Sequence, residues 1–190
     1  MPEHRLILIG GPIASGKTVA ARGLAARLRS LGQDVAAIDM DEMIAIVAGE
    51  DWSLITASDR QKACRLTSRV VQGLFDEGVG TVAIAGSTLS PYEWNEVATH
   101  LAPAPTVTRV LLRVSVEESI RRAQIDPART STPEPGYVEK LAAAIDWARV
   151  PTPDIDLQTD AMTIDEVLAS ISSVLSPPLP QRERRLGGEV

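Results

Sequence analysis

Two glycines separated by four residues and followed at once by lysine and threonine occur near the start of the chain: Gly11, Pro12, Ile13, Ala14, Ser15, Gly16, Lys17, Thr18. The spacing G-x-x-x-x-G-K-[ST] suits one task, the wrapping of backbone around a polyphosphate. Glycines allow the tight turn, successive N–H groups point inward, and a helix beginning at the loop's end adds partial positive charge. A lysine at the seventh place can reach the β- and γ-phosphates, and a hydroxyl at the eighth can ligate magnesium. Residues 11–18 are therefore the candidate site for ATP, with Thr18 also a candidate Mg²⁺ ligand.

A second group with chemical potential is Asp39-Met40-Asp41, which ends the apolar run Val35–Ile38. If the segment stays extended, side chains two apart turn the same way. Two carboxylates near a metal and a γ-phosphate can divide the work, one holding a metal-bound water and the other accepting the proton of an attacking hydroxyl. Asp39 is read as the base and Asp41 as the metal-side partner, with the exchanged roles left open. Asp41 could equally cap the next helix. The third apolar run, Thr81–Ala85, leads into Gly86, Ser87 and Thr88, where the hydroxyls could hold Mg²⁺ through water, contact an acceptor or simply make a turn. Arg122 and Arg129 are candidates to close over the phosphates and offset transition-state charge, ahead of Arg121.

The elements that must position these groups follow from the pattern of apolar residues. Strand-like runs are Leu6–Ile9, Val35–Ile38, Thr81–Ala85, Val107–Val114 and Ile155–Leu157. Helical segments lie between and after them: Thr18–Ser30, Asp41–Ala48, Ser58–Glu77, Pro91–His100, Val116–Gln124, Pro135–Ala148 and Thr163–Leu175. This alternation predicts βαβ units, hence a three-layer α/β fold with helices on both faces of a mostly parallel sheet. Ser115 with Glu118 and Thr163 with Glu166 have capping-box spacing, and Ser90-Pro91 supplies an N-cap and a first-turn proline. The proline-bearing segment 125–136 reads as a lid, and 176–190, with Pro177, Pro178, Pro180 and a basic cluster, as a disordered tail beyond a single domain at 1–175.

Bulk properties narrow the function. The chain has 190 residues, 44% hydrophobic, 23% charged and 3% aromatic, so one domain with an aliphatic core is expected. A net charge of -6 without a basic run in the body of the domain disfavours a nucleic-acid partner. The single cysteine, Cys64, excludes an internal disulfide and is read as a small buried hydrophobe. No apolar run approaches membrane-spanning length, and no signal peptide fits before the first strand, so a cytoplasmic protein is expected. Asn95, followed by Glu96, is the only asparagine, which removes the Asn-Lys-x-Asp element of guanine-binding GTPases. No Leu-Ser-Gly-Gly-Gln-type transporter signature occurs.

The parts that remain resemble the small P-loop kinases, a group that includes shikimate kinase, gluconate kinase, adenylylsulfate kinase and chloramphenicol phosphotransferase. The resemblance rests on Gly11–Thr18, the Asp39-x-Asp41 pair, the Gly86-Ser87 strand end, an Arg122-to-Arg129 lid and the final run Ile155-Asp156-Leu157-Gln158-Thr159-Asp160. It implies a five-stranded parallel sheet of order 2-3-1-4-5 and ATP-dependent phosphorylation of a hydroxyl on a small molecule, with the loop at Thr159 and Asp160 beside adenine. Subfamily signatures depart: the third strand lacks Asp-Gly-Phe-Pro-Arg and the triple glycine, and Glu42-Met43-Ile44 replaces Asn-x-Arg. Ile9-Gly10-Gly11 and the apolar Met40, Met43, Ile44 and Ile46 look most like chloramphenicol phosphotransferase. A small hydroxylated metabolite or antibiotic is the expected acceptor. A nucleotide or nucleic-acid-end kinase, with a basic acceptor face from Arg60, Lys62, Arg65 and Arg69, is the alternative, followed by a slowly hydrolysing ATP-binding module.

Overall fold

Alternation of side chains along each strand sorts the core into two layers. Ile7 and Ile9 of the first strand face one side with Ala83, Ala85, Val110 and Leu112, while Leu6 and Leu8 face the other with Val82 and Ile84. The computed structural model describes residues 4–86, 91–126 and 134–175, without the side chains of residues 91, 92 and 94. Its strands are β1 (Arg5–Gly10), β2 (Val35–Asp39), β3 (Thr81–Ala85), β4 (Thr106–Arg113) and β5 (Ile155–Gln158). They form one five-stranded sheet of order β2-β3-β1-β4-β5, and every pairing is parallel. The expected topology is the one observed.

Helices α1 (Lys17–Ser30) and α7 (Ile164–Val174) cover the Ile7 face with Ala20, Ala21, Leu24, Ala25 and Leu28 meeting Val167, Leu168 and Ile171. On the Leu6 face lie α2 (Met40–Ala48), α3 (Ala57–Asp76) and α4 (Pro91–Thr99), through Met40, Met43, Ile44, Ala63, Cys64, Val71, Phe75 and Val97. Helices α5 (Val116–Ile125) and α6 (Pro135–Ala143) pack on each other beyond β4. Cys64 is buried as expected, and burial is the main reason its thiol is pushed up to about 11. Of the apolar residues following Asp39, Met40, Met43 and Ile44 are core, whereas Ile46 is 70% exposed.

Two local expectations change and a third holds. Helix α6 stops at Ala143 rather than Ala148, because Asp146 accepts from the Ala148 N–H at 3.2 Å and Trp147 turns beneath Arg113, whose guanidinium lies 4.4 Å from the ring centre. The Thr163–Glu166 capping box is complete. At Ser115 only half forms: Ser115 Oγ accepts from the Glu118 N–H, but the Glu118 carboxylate turns to Arg121 and Arg122, and Asp160 takes the Ser115 N–H. Ser87, Thr88, Arg129, the Ser90 cap, all of the lid except its two ends, and the tail lie outside the described residues.

Candidate active site

Parallel register brings the first two sequence groups together. Asp39, Ala85 and Ile9 stand level on β2, β3 and β1, one residue before the end of β1. Ligands of such sheets bind beyond the carboxyl ends of the strands, and residues 11–18 and 39–41 both emerge there.

The loop has the backbone that its sequence requires. Gly11 has φ 153°, and a Cβ there would lie 2.3 Å from the carbonyl oxygen of Leu112 and 2.6 Å from Ser15 Oγ, so no larger residue fits. Gly16 has φ 93° and Ala14 φ 55°, the described non-glycine with a left-handed backbone, an arrangement associated with functional strain. Lys17 is 8% exposed, and its Nζ donates to the Pro12 carbonyl at 2.7 Å. Ser15 is 2% exposed, and its Oγ is buried without a hydrogen-bond partner. Helix α1 starts from Gly16 with no side-chain cap and no acidic residue in its first turn. A lone buried hydroxyl, a glycine cradle and an uncapped helix start fit the phosphates of a nucleotide.

The two aspartates separate. Thr18 Oγ1 donates to Asp39 Oδ2 at 2.7 Å, and Asp39 Oδ1 accepts from the Asp41 N–H at 2.9 Å, making Asp39 the N-cap of α2. Because the strand ends at Asp39, the rule that residues two apart share a face does not carry across to Asp41, which already lies in the helix. The cap is therefore Asp39, not Asp41, and the carboxylate beside the Thr18 hydroxyl is also Asp39.

Asp41 is electrostatically coupled to Glu93 on α4, which sequence reasoning passed over. Glu93 lies in the first turn of the helix that follows β3, so the strand-end rule could have found it. Its carboxyl is raised above the usual range by burial first, with Arg60 opposing and Asp41 adding to the shift. Arg60 Nη1 is 4.0 Å from Glu93 Oε1. Of the basic residues expected to line a face of α3, Arg60 turns to Glu93, Lys62 pairs with Asp59 at 3.3 Å, and Arg65 and Arg69 are exposed.

On the opposite flank, helix α5 is tied both to the glycine loop and to the loop after β5. Ser119, 3% exposed, donates from Oγ to the Ile13 carbonyl at 2.7 Å. Arg122 donates Nε–H to Glu118 at 2.7 Å, Nη2 to the Thr159 carbonyl at 2.5 Å and Nη1 to Thr159 Oγ1 at 3.2 Å. Thr159 is 2% exposed, and its hydroxyl also donates to the Arg113 carbonyl at 2.9 Å. Arg122 is thus held against the loop after β5, where neighbouring carbonyls and Glu118 satisfy its fork. Thr159 contributes the loop's shape, with its own side chain occupied internally. Glu118 is drawn down to about 2, chiefly by hydrogen bonds from Arg121 and Arg122. A cavity of about 400 Å³ between the start of α5, α6 and Trp147 touches the phosphate loop only at Pro12 and Ile13.

The fold and this geometry define the class as the small P-loop kinase fold. No protein-family model and no curated protein matches the chain. Solved structures do. The chain is similar to the APS kinase of Mycobacterium tuberculosis in complex with AMPPNP and APS, at 20% identity and TM-score 0.68, covering 92% of this chain and 99% of that one. It also resembles shikimate kinase from Bacteroides thetaiotaomicron, at 17% identity, TM-score 0.62 and coverage of 90% and 97%. A gluconokinase from Sinorhizobium meliloti matches at 14% identity, TM-score 0.62 and coverage of 91% and 93%. These structural neighbours are small P-loop kinases. No helix among the described residues is long and apolar enough to cross a membrane.

Proposed function

We propose that the protein is an ATP-dependent phosphotransferase that moves the γ-phosphate of ATP to a hydroxyl of a small molecule. The observation that carries this reading is the 2.7 Å pairing of Thr18 Oγ1 with Asp39 Oδ2 at the base of a phosphate cradle whose helix start has no side-chain cap. Residues 13–18 would wrap the phosphates through backbone N–H groups, with Ser15 Oγ as a further donor and Lys17 leaving Pro12 for the γ-phosphate. Thr18 and Asp39 would hold Mg²⁺. Bound there, the ion would offset charge on the phosphates.

Asp41 is then the acceptor-side carboxylate, the exchange of roles that the sequence left open. The acceptor oxygen bonds to the γ-phosphorus as its proton passes to an Asp41 oxygen, and the bond from that phosphorus to the β,γ-bridging oxygen breaks. ADP leaves with the electron pair, and the proton is later released to solvent, so ATP and an alcohol give ADP, a phosphate monoester and H⁺. Arg122 acts at one remove, by holding the loop at Thr159 and Asp160 where adenine is expected. Arg129 and the segment 125–136 would supply the lid. The domain at 1–175 contains every proposed site residue.

Screening hydroxylated metabolites and antibiotics for acceptor-dependent ADP release tests the reading. An acceptor turned over by the wild type and lost with Asp41→Asn supports it. A protein that binds Mg²⁺·ATP but phosphorylates no acceptor would instead be an ATP-binding module.

A further inference from the structure

The strain in the glycine loop falls on one peptide, and a side chain from outside the loop holds that peptide. The Ser15 N–H donates to the Pro12 carbonyl at 3.3 Å, closing a turn whose third residue is Ala14 at φ 55°. This is the pattern of a type II turn, which suits glycine or asparagine at that place. Rotating the central peptide, Ile13–Ala14, through half a revolution gives a type I turn, in which alanine sits without strain. Local preference therefore favours the flipped peptide, and a contact from elsewhere must oppose it. The oxygen of that peptide is the Ile13 carbonyl, which accepts from Ser119 Oγ at 2.7 Å. Ser119 is 3% exposed on α5. The helix has its own anchors, since Arg122 donates to the Thr159 carbonyl at 2.5 Å and the Ser115 N–H to Asp160 at 3.1 Å, so Ser119 cannot simply follow a moving loop.

We propose that Ser119 is a positioning residue for the nucleotide. By drawing the Ile13 carbonyl toward α5, it turns the Ala14 N–H of the same planar peptide the opposite way, toward the phosphates. Without the hydroxyl the peptide is released to flip, and a carbonyl oxygen then stands where the cradle needs an N–H for an anion. Ser119 touches neither nucleotide nor acceptor and acts through Ala14 alone. This assignment rests on the reading of residues 11–18 as a nucleotide cradle and adds the residue that keeps the cradle in its binding form.

The test is titration calorimetry of Mg²⁺·AMPPNP into the wild type, Ser119→Ala and Ser119→Cys, each with and without Ala14→Gly. Ser119→Ala should bind about tenfold or more weakly, the size of one lost hydrogen bond to a charged group. Ser119→Cys, which nearly keeps the volume and weakens the donor, should fall between. Ala14→Gly removes the penalty of the left-handed backbone, so it should return about threefold or more of the lost affinity to Ser119→Ala while changing the wild type by less than about twofold. A serine that merely packs α5 against the loop would show no such rescue. Melting temperatures establish that each protein is folded during titration, and Ser119→Cys carries the comparison if Ser119→Ala is not. The proposal is overturned if the Ser119 variants bind as the wild type does, or if Ala14→Gly leaves their loss unchanged. Absence of nucleotide binding by the wild type would remove the cradle reading, and this assignment with it.

Discussion

Helices α1 and α7 lie side by side on one face of the sheet, yet their starts are handled in opposite ways. At α7, Thr163 Oγ1 accepts from the Glu166 N–H at 3.3 Å while the Glu166 carboxylate takes the Thr163 N–H at 2.8 Å and its hydroxyl at 2.9 Å. At α1, Gly16 offers no side chain, the first turn has no acid, and the buried Ser15 Oγ has no partner. One helix start is closed by its own residues, and the other is left open where a lysine waits. The difference separates groups that serve the fold from groups that serve a ligand: changes at α7 should cost stability and spare chemistry, and changes around α1 should do the reverse.

The largest effect is expected at the aspartates beside α1. Asp41→Asn keeps the shape and removes the basicity, so turnover with a confirmed acceptor should fall at least about a hundredfold while Mg²⁺·ATP affinity stays within a few-fold. Asp39→Asn should instead raise the Mg²⁺ concentration needed for half-maximal rate. Steady-state kinetics at varied Mg²⁺ separates the two, and the opposite outcome would return the base role to Asp39.

Gly11→Ala breaks the comparison by making the α1 side costly to the fold as well. The added Cβ meets a backbone carbonyl at 2.3 Å, which cannot rotate away, so a loss of about 1–3 kcal/mol in urea unfolding is expected along with loss of nucleotide binding. Thr163→Ala should cost about 1 kcal/mol through the lost cap and leave nucleotide affinity unchanged. A change in affinity there would mean that the two helix starts are coupled.

Acid should loosen α5 before it affects α1. The folded pKa of Glu118 is depressed, so its contribution is fully present above the unfolded carboxyl value of about 4.3 and fades as pH falls toward about 2. Melting curves of wild type and Glu118→Gln should therefore differ at pH 6 and converge as pH drops through that window. A constant difference would show that Glu118 acts by packing alone.

Most of the fold was legible because its signals are local. Alternating apolar runs located all five strands, and the glycine spacing located the loop and the start of α1. The site was legible only as far as chain direction reaches. The sequence brought Asp39 and Asp41 to the correct end of the sheet, but which one meets Thr18 depends on the strand stopping at Asp39, and that is decided when its side chain caps α2. No local pattern reveals that the Thr159 carbonyl, 37 positions away, takes the Arg122 guanidinium. Ser119 went unseen for the same reason, since its partner Ile13 is 106 residues distant. Glu93 became visible only when α4 packed on α3.

Titration calorimetry of Mg²⁺·AMPPNP into the wild type and Lys17→Ala tests the open start of α1 most directly. Saturable binding at one site is expected for the wild type, and the variant should lose about 1.5–3 kcal/mol of binding free energy, a charged hydrogen bond to phosphate, with little change in melting temperature. No binding by the wild type, or equal binding by both proteins, would contradict the assignment of this loop as the nucleotide cradle.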